Sequence, residues 1–154
     1  MSKILFVVTR PLEINTSASI RNKSMIEGLI QNGHTVDLVT AEPNVHHAAY
    51  DESLSVQGVN AIRIAMNNAQ RLAGLGGNNK LFLKLKSLAY KWVTRHEVYD
   101  HLKSLANHTD SVNLADGQYD YIISSSDPKS SHLFVLKLLE QQGRNFKGKW
   151  IQIW

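Results

Sequence analysis

The chain has 154 residues, 43% apolar and 19% charged, a balance that suits one folded domain rather than a disordered segment. It has no cysteine, which excludes disulfides, thiolate catalysis and cysteine-ligated metals and makes a reducing cytoplasm the expected compartment. The net charge of +4 is unevenly spread: Arg63, Arg71, Lys80, Lys84, Lys86, Lys91, Arg95 and Lys103 stand against only Glu97 and Asp100, so this stretch expects an anionic partner.

Lys3–Thr9 (KILFVVT) is a continuous apolar run rich in β-branched residues, the pattern of a central parallel strand buried on both faces. Its apolar part, Ile4–Val8, is too short for a signal peptide and lacks a small-residue cleavage site. No apolar stretch anywhere reaches the ~18 residues of a transmembrane helix. A polar loop, Arg10–Ser19, follows. Ile20, Met25, Ile26, Leu29 and Ile30 then recur at helical spacing, predicting a helix over Ser19–Gln31 capped by Ser17 or Ser19 and stopped by Asn32-Gly33.

Thr35–Thr40 is the second strand, and the right-handed crossover makes it parallel to the first. Ala41–Gly58 reads as irregular, Asn60–Ala65 as a strand near an edge, and Met66–Asn79 as a glycine-bearing loop. Lys80–Arg95 is an amphipathic helix, with a further helical stretch from about His96 to Ala106 and a polar connection over Asn107–Gln118. Tyr119–Ser124 is the fourth strand, Pro128–Gln142 a helix with Pro128 in its first turn, and Lys149–Trp154 the fifth strand. The alternation predicts an α/β, Rossmann-like doubly wound parallel sheet in a three-layer αβα domain, ordered 3-2-1-4-5. Ligands of such sheets sit beyond the strands' carboxyl ends where the order reverses, here between Arg10–Ser19 and Ser124–Pro128.

Three segments together resemble the N-terminal domain of GT-B glycosyltransferases of the retaining family 4 type. They are KILFVVTRPLEINTSASIRNKSMIEGLIQNGHTVDLVT with its Gly33-His34 turn, YDYIISSSDPKSSHLFVLKLLEQQG, and KWIQIW. The likeness covers both ends and fades through residues 44–118. It implies that residues 1–154 are the acceptor-side domain, without a cofactor of its own, of an enzyme whose separate C-terminal domain binds a nucleotide-sugar donor. The implied activity is sugar transfer to a glycan or lipid-linked acceptor in cell-surface polysaccharide synthesis, inactive without that second domain. The implied location is cytoplasmic, peripheral to the inner face of the plasma membrane.

Within the first loop, Arg10, Asn15, Thr16, Ser17 and Ser19 are candidate acceptor contacts. Many relatives carry a Gly-Gly pair here that lets backbone approach the donor diphosphate, whereas this chain has Thr16-Ser17-Ala18-Ser19. That departure puts direct diphosphate contact in doubt, and without GxGxxG a dinucleotide site is disfavoured. At the fourth strand, Ser125 and Ser126 are candidate acceptor partners. Asp127 is either the candidate catalytic carboxylate or a helix N-cap. His132, one turn into its helix, is a further acceptor-binding candidate. His34 reads as structural, and His46-His47 lack a third ligand, so no metal is expected. Lys80, Lys84, Lys91 and Arg95 form a basic stripe and Leu81, Leu85, Leu88 and Trp92 an apolar one, a basic amphipathic helix with tryptophan suited to an anionic membrane surface, although packing on the domain would give the same pattern. A stand-alone flavodoxin-like small-ligand module is the alternative. Nucleic acid is not an expected partner, because no recognition motif or stacking platform accompanies the basic residues.

Overall fold

The computed structural model describes residues 1–66, 100, 102–114 and 118–154. Residues 67–79 of the expected loop and the basic helix Lys80–Arg95 lie outside the described residues, as do residues 96–99 and 101 of the further helical stretch.

Five strands form one parallel sheet: β1 Lys3–Val7, β2 Thr35–Ala41, β3 Asn60–Ile64, β4 Tyr121–Ser125 and β5 Lys149–Ile153. Their spatial order is β3-β2-β1-β4-β5, as the sequence predicts, and not the 2-1-3-4-5 of flavodoxin. Among the described residues two α-helices cover the faces, α1 Ser17–Gln31 and α2 Ser130–Gln142.

The alternation of β1 sorts the core into two layers. Ile4, Phe6 and Val8 point into a cluster with Ile26 of α1, Val36, Leu38 and Ile123. Leu5 and Val7 point the other way, among Val39, Ile122, Phe134, Val135 and Leu138 of β2, β4 and α2. Phe6 and Phe134 are both fully buried, and removing either ring is worth about 3–5 kcal/mol. With its neighbours on both sides and helices above and below, β1 is the rigid floor from which the first loop departs.

Local chemistry sets the element ends. Thr16, in extended geometry, caps α1: its hydroxyl accepts from the Ser19 amide at 3.1 Å, so the cap is neither Ser17 nor Ser19. α1 ends where Gly33 takes φ 81°, and His34 N–H returns to Leu29 O at 3.1 Å. α2 begins at Ser130 rather than Pro128, after a cis Asp127–Pro128 bond.

The connection before β4 is more apolar in its packing than its composition suggests. Leu105, Ala106, Val112 and Leu114 are all buried against the α2 layer. The segment carries two 3-10 turns, Lys103–Asn107 and Thr109–Ser111. The Gln142 amide clasps it, accepting from Leu114 N–H at 3.0 Å and donating to Val112 O at 3.0 Å. Tyr119, buried just before β4, donates to Asp37 at 2.6 Å, and Lys3 lies 3.5 Å from the same carboxylate. Burial first, then the bond to Asp37, pushes the Tyr119 phenol well above its ordinary range.

Candidate functional site

The sheet order reverses between β1 and β4, so their exit loops leave a cleft at the carboxyl ends of the strands. Its floor is a chain of small hydroxyls. Thr9 N–H donates to Ser131 Oγ at 3.0 Å, and Thr9 Oγ1 lies 2.7 Å from Ser130 Oγ. Ser130 gives both its backbone N–H and its hydroxyl to the Asp100 carboxylate, each at 2.9 Å. The Ser130 proton is therefore committed to Asp100, and Thr9 must be the donor to Ser130. Asp100 thereby takes the capping role that the sequence offered to Asp127.

Asp127 instead turns to the opposite wall. Its carboxylate lies 3.2 Å from the Arg10 guanidinium, with side chains 52% and 26% exposed respectively. A pair this open contributes at most about 1 kcal/mol, so a polar ligand can rearrange it at little cost. The Arg10 carbonyl is fixed by Thr40 Oγ1 at 3.1 Å. From α1, Arg21 donates to Ser125 Oγ at 3.2 Å. Ser126 N–H continues the sheet, donating to Ile153 O at 2.8 Å. The cleft thus has two guanidinium groups, one half-exposed carboxylate and several hydroxyls on a rigid base.

The remaining first-loop candidates are tied up locally. Asn15 donates to Asp51 at 3.2 Å through its side chain and to Ala49 O at 2.8 Å through its backbone. Hydrogen bonds from the Ser53 hydroxyl and amide hold the Asp51 carboxyl below the usual range. Ser19 is buried and donates to Ile14 O at 2.6 Å. Thr16 is the cap, which leaves Ser17 as the exposed hydroxyl of the set. Glu13, also buried, meets Arg63 of β3 at 2.6 Å and braces the loop from behind. The structure therefore brings Arg10, Ser125, Ser126 and Asp127 together, while Asn15, Thr16 and Ser19 build the loop's shape.

His132 sits behind β4. Its Nδ1 lies 2.7 Å from Ser124 Oγ, which accepts from Trp150 Nε1 at 2.8 Å. The Trp154 ring is tilted 49° over the imidazole at 4.6 Å. Burial lowers the imidazole pKa, which favours the neutral ring. Among the described residues, two buried polar groups lack a hydrogen-bond partner: His132 Nε2 and the side-chain amide of Asn22 on α1.

Sequence reading missed Thr9, Arg21, Asp100, Ser124 and Trp150. None belongs to a motif, and each acts only through a partner distant in the chain. The membrane-surface residues Lys80, Lys84, Lys91, Trp92 and Arg95 lie outside the described residues. Among the described residues no group of three His, Asp or Glu could hold a metal, and no helix is long and apolar enough to cross a membrane. Comparison with protein-family models, with curated proteins and with solved structures gives no match.

Proposed function

We propose that this chain is the acceptor-side domain of a retaining, family-4-like GT-B glycosyltransferase that moves a sugar from a nucleotide-sugar to a glycan or lipid-linked acceptor. The observation that carries the reading is the pairing of Arg10 with Asp127 across the mouth of the β1–β4 cleft, beside Ser125 and Ser126. A sugar hydroxyl both donates and accepts hydrogen bonds. Asp127 accepts from it, while the Arg10 and Arg21 guanidinium groups donate to it.

Asp127 serves best as an orienting acceptor, because its carboxylate is already held 3.2 Å from the Arg10 guanidinium at the mouth of the cleft. In retaining transfer of this type the leaving phosphate can take the acceptor proton, so no separate base is required of this domain. The loop lacks paired glycines for close diphosphate approach, which supports an acceptor role for it; donor binding by a separate C-terminal domain is what the resemblance to GT-B enzymes implies. The basic amphipathic stretch Lys80–Arg95 in the sequence supports a lipid-linked acceptor and a peripheral position at the cytoplasmic membrane face, which the resemblance implies. The 3-2-1-4-5 strand order speaks against the flavodoxin-like alternative.

The test is a backbone amide titration with a panel of methyl glycosides, UDP-glucose and FMN. Glycosides should shift the amides of Arg10, Ser17 and Ser125–Asp127 saturably, with UDP-glucose weaker. Saturable FMN binding at those amides, or no response to any glycoside, would overturn the proposal.

A further inference from the structure

The tautomer of His132 follows from the bonds around it. Trp150 Nε1–H can only donate, so Ser124 Oγ accepts from it. Among the described residues the Ser124 hydroxyl proton then has one acceptor within reach, His132 Nδ1 at 2.7 Å. The opposite assignment, with the proton on Nδ1, would strand both the serine proton and the Nε2 lone pair. The chain Trp150 to Ser124 to His132 therefore places the ring proton on Nε2. That N–H is buried and has no partner among the described residues, a condition that costs stability until a hydrogen-bond acceptor meets it.

The surroundings select what can meet it. The amides opening α2 are taken: Ser130 N–H by Asp100, Ser131 N–H by Pro128 O and His132 N–H by Lys129 O. The Asp100 carboxylate already fills the anion position at that helix end. A phosphate would find no free amide and a negative charge nearby, whereas a neutral oxygen meets no such opposition. Over the imidazole lies Trp154, 75% exposed and in ring contact with it. An aromatic face beside a single buried donor matches the apolar C–H face and hydroxyl rim of a sugar ring.

We propose that His132 binds carbohydrate, donating Nε2–H to a sugar hydroxyl oxygen while the sugar packs against a displaced Trp154, with Ser124 as the positioning residue that fixes the donor tautomer. This rests on the acceptor-cleft reading above and names a hydrogen bond that the cleft residues themselves do not supply.

The test uses the whole chain and two readouts. Long-range proton–nitrogen correlation on the imidazole should show the proton on Nε2 in the unliganded protein, and its resonance should move when methyl glycosides are added. Affinity for the same glycosides should fall roughly five- to tenfold in H132F, which keeps the ring shape without the donor, and should be largely restored in H132Q. S124A should give a mixed tautomer and an intermediate loss. Circular dichroism checks that each variant folds, and the tautomer is read on the wild-type protein whatever the variants do. A proton on Nδ1 overturns the proposal. So does H132F binding as well as wild type while the Ser125 and Ser126 amides still respond, a result that leaves the cleft reading intact. Saturation by inorganic phosphate in place of glycosides also overturns it, and silence towards every glycoside overturns both readings.

Discussion

Replacing Asp100 probes how the cleft floor is held. In Asp100→Ala, the Ser130 amide loses its capping partner and the Ser130 hydroxyl loses a charged acceptor. A lost cap costs about 1 kcal/mol, and a hydrogen bond to a charged group contributes about 1.5–3 kcal/mol. The two bonds share one carboxylate and do not add fully, so the expected loss is about 3 kcal/mol. For a chain of this size that lowers Tm by about 6–12 °C. Asp100→Asn should cost only about 1 kcal/mol. Its amide oxygen still accepts from the Ser130 N–H, and its NH2 can donate to Ser130 Oγ if that hydroxyl turns to Thr9. Urea unfolding followed by circular dichroism measures both. With the carboxylate gone, the start of α2 should also become an anion site, so inorganic phosphate should stabilise D100A and leave the wild type unchanged. Stability of D100A within about 0.5 kcal/mol of wild type, or phosphate stabilising both proteins equally, would refute this assignment of the cap.

Three further outcomes are expected. Tyr119→Phe removes the 2.6 Å bond to buried Asp37 and should lower stability by about 1.5–3 kcal/mol by urea unfolding, since Lys3 at 3.5 Å compensates only in part. Gly148→Ala would set a Cβ 2.5 Å from the Asp120 carbonyl and 2.6 Å from the Phe146 ring, and this overpacking at the entry to β5 should cost about 1–3 kcal/mol in the same assay. Burial depresses the His132 pKa in the folded state, so the unfolded chain binds the extra proton first. Its contribution to stability is complete above the ordinary value of 6.5 and is lost as pH falls through the depressed folded value. The stability difference between wild type and H132F, followed from pH 8 to pH 4, should narrow in that direction.

The sheet was legible because each strand carries its own signal. Ile4–Val8 admits burial on two faces, and Gly33 and Gly143 close helices where the apolar period stops. Both exit loops followed from the strand order alone. The cap of α1 was harder, because Thr16, Ser17 and Ser19 all carry capping hydroxyls and the extended backbone at Thr16 decides among them. The core residues Val112 and Leu114 were read as polar connection, since two isolated apolar residues among polar neighbours have no period to detect. Asp100 took the cap offered to Asp127 for a similar reason. A cap adjacent in sequence is easy to imagine, whereas a carboxylate reaching the helix from 30 residues upstream leaves no local mark. His132 was visible as a position but not as a donor, because its tautomer depends on Trp150 in β5.

The central claim is that the β1–β4 cleft receives a carbohydrate acceptor, and a crystal of the chain soaked with a short oligosaccharide tests it most directly. We predict sugar density between Arg10, Ser125, Ser126 and Asp127, with the Arg10–Asp127 pair opened around a hydroxyl. An undisturbed pair, with sugar bound only in the polar groove that Lys23, Glu52 and Ser53 line beside α1, would contradict the claim.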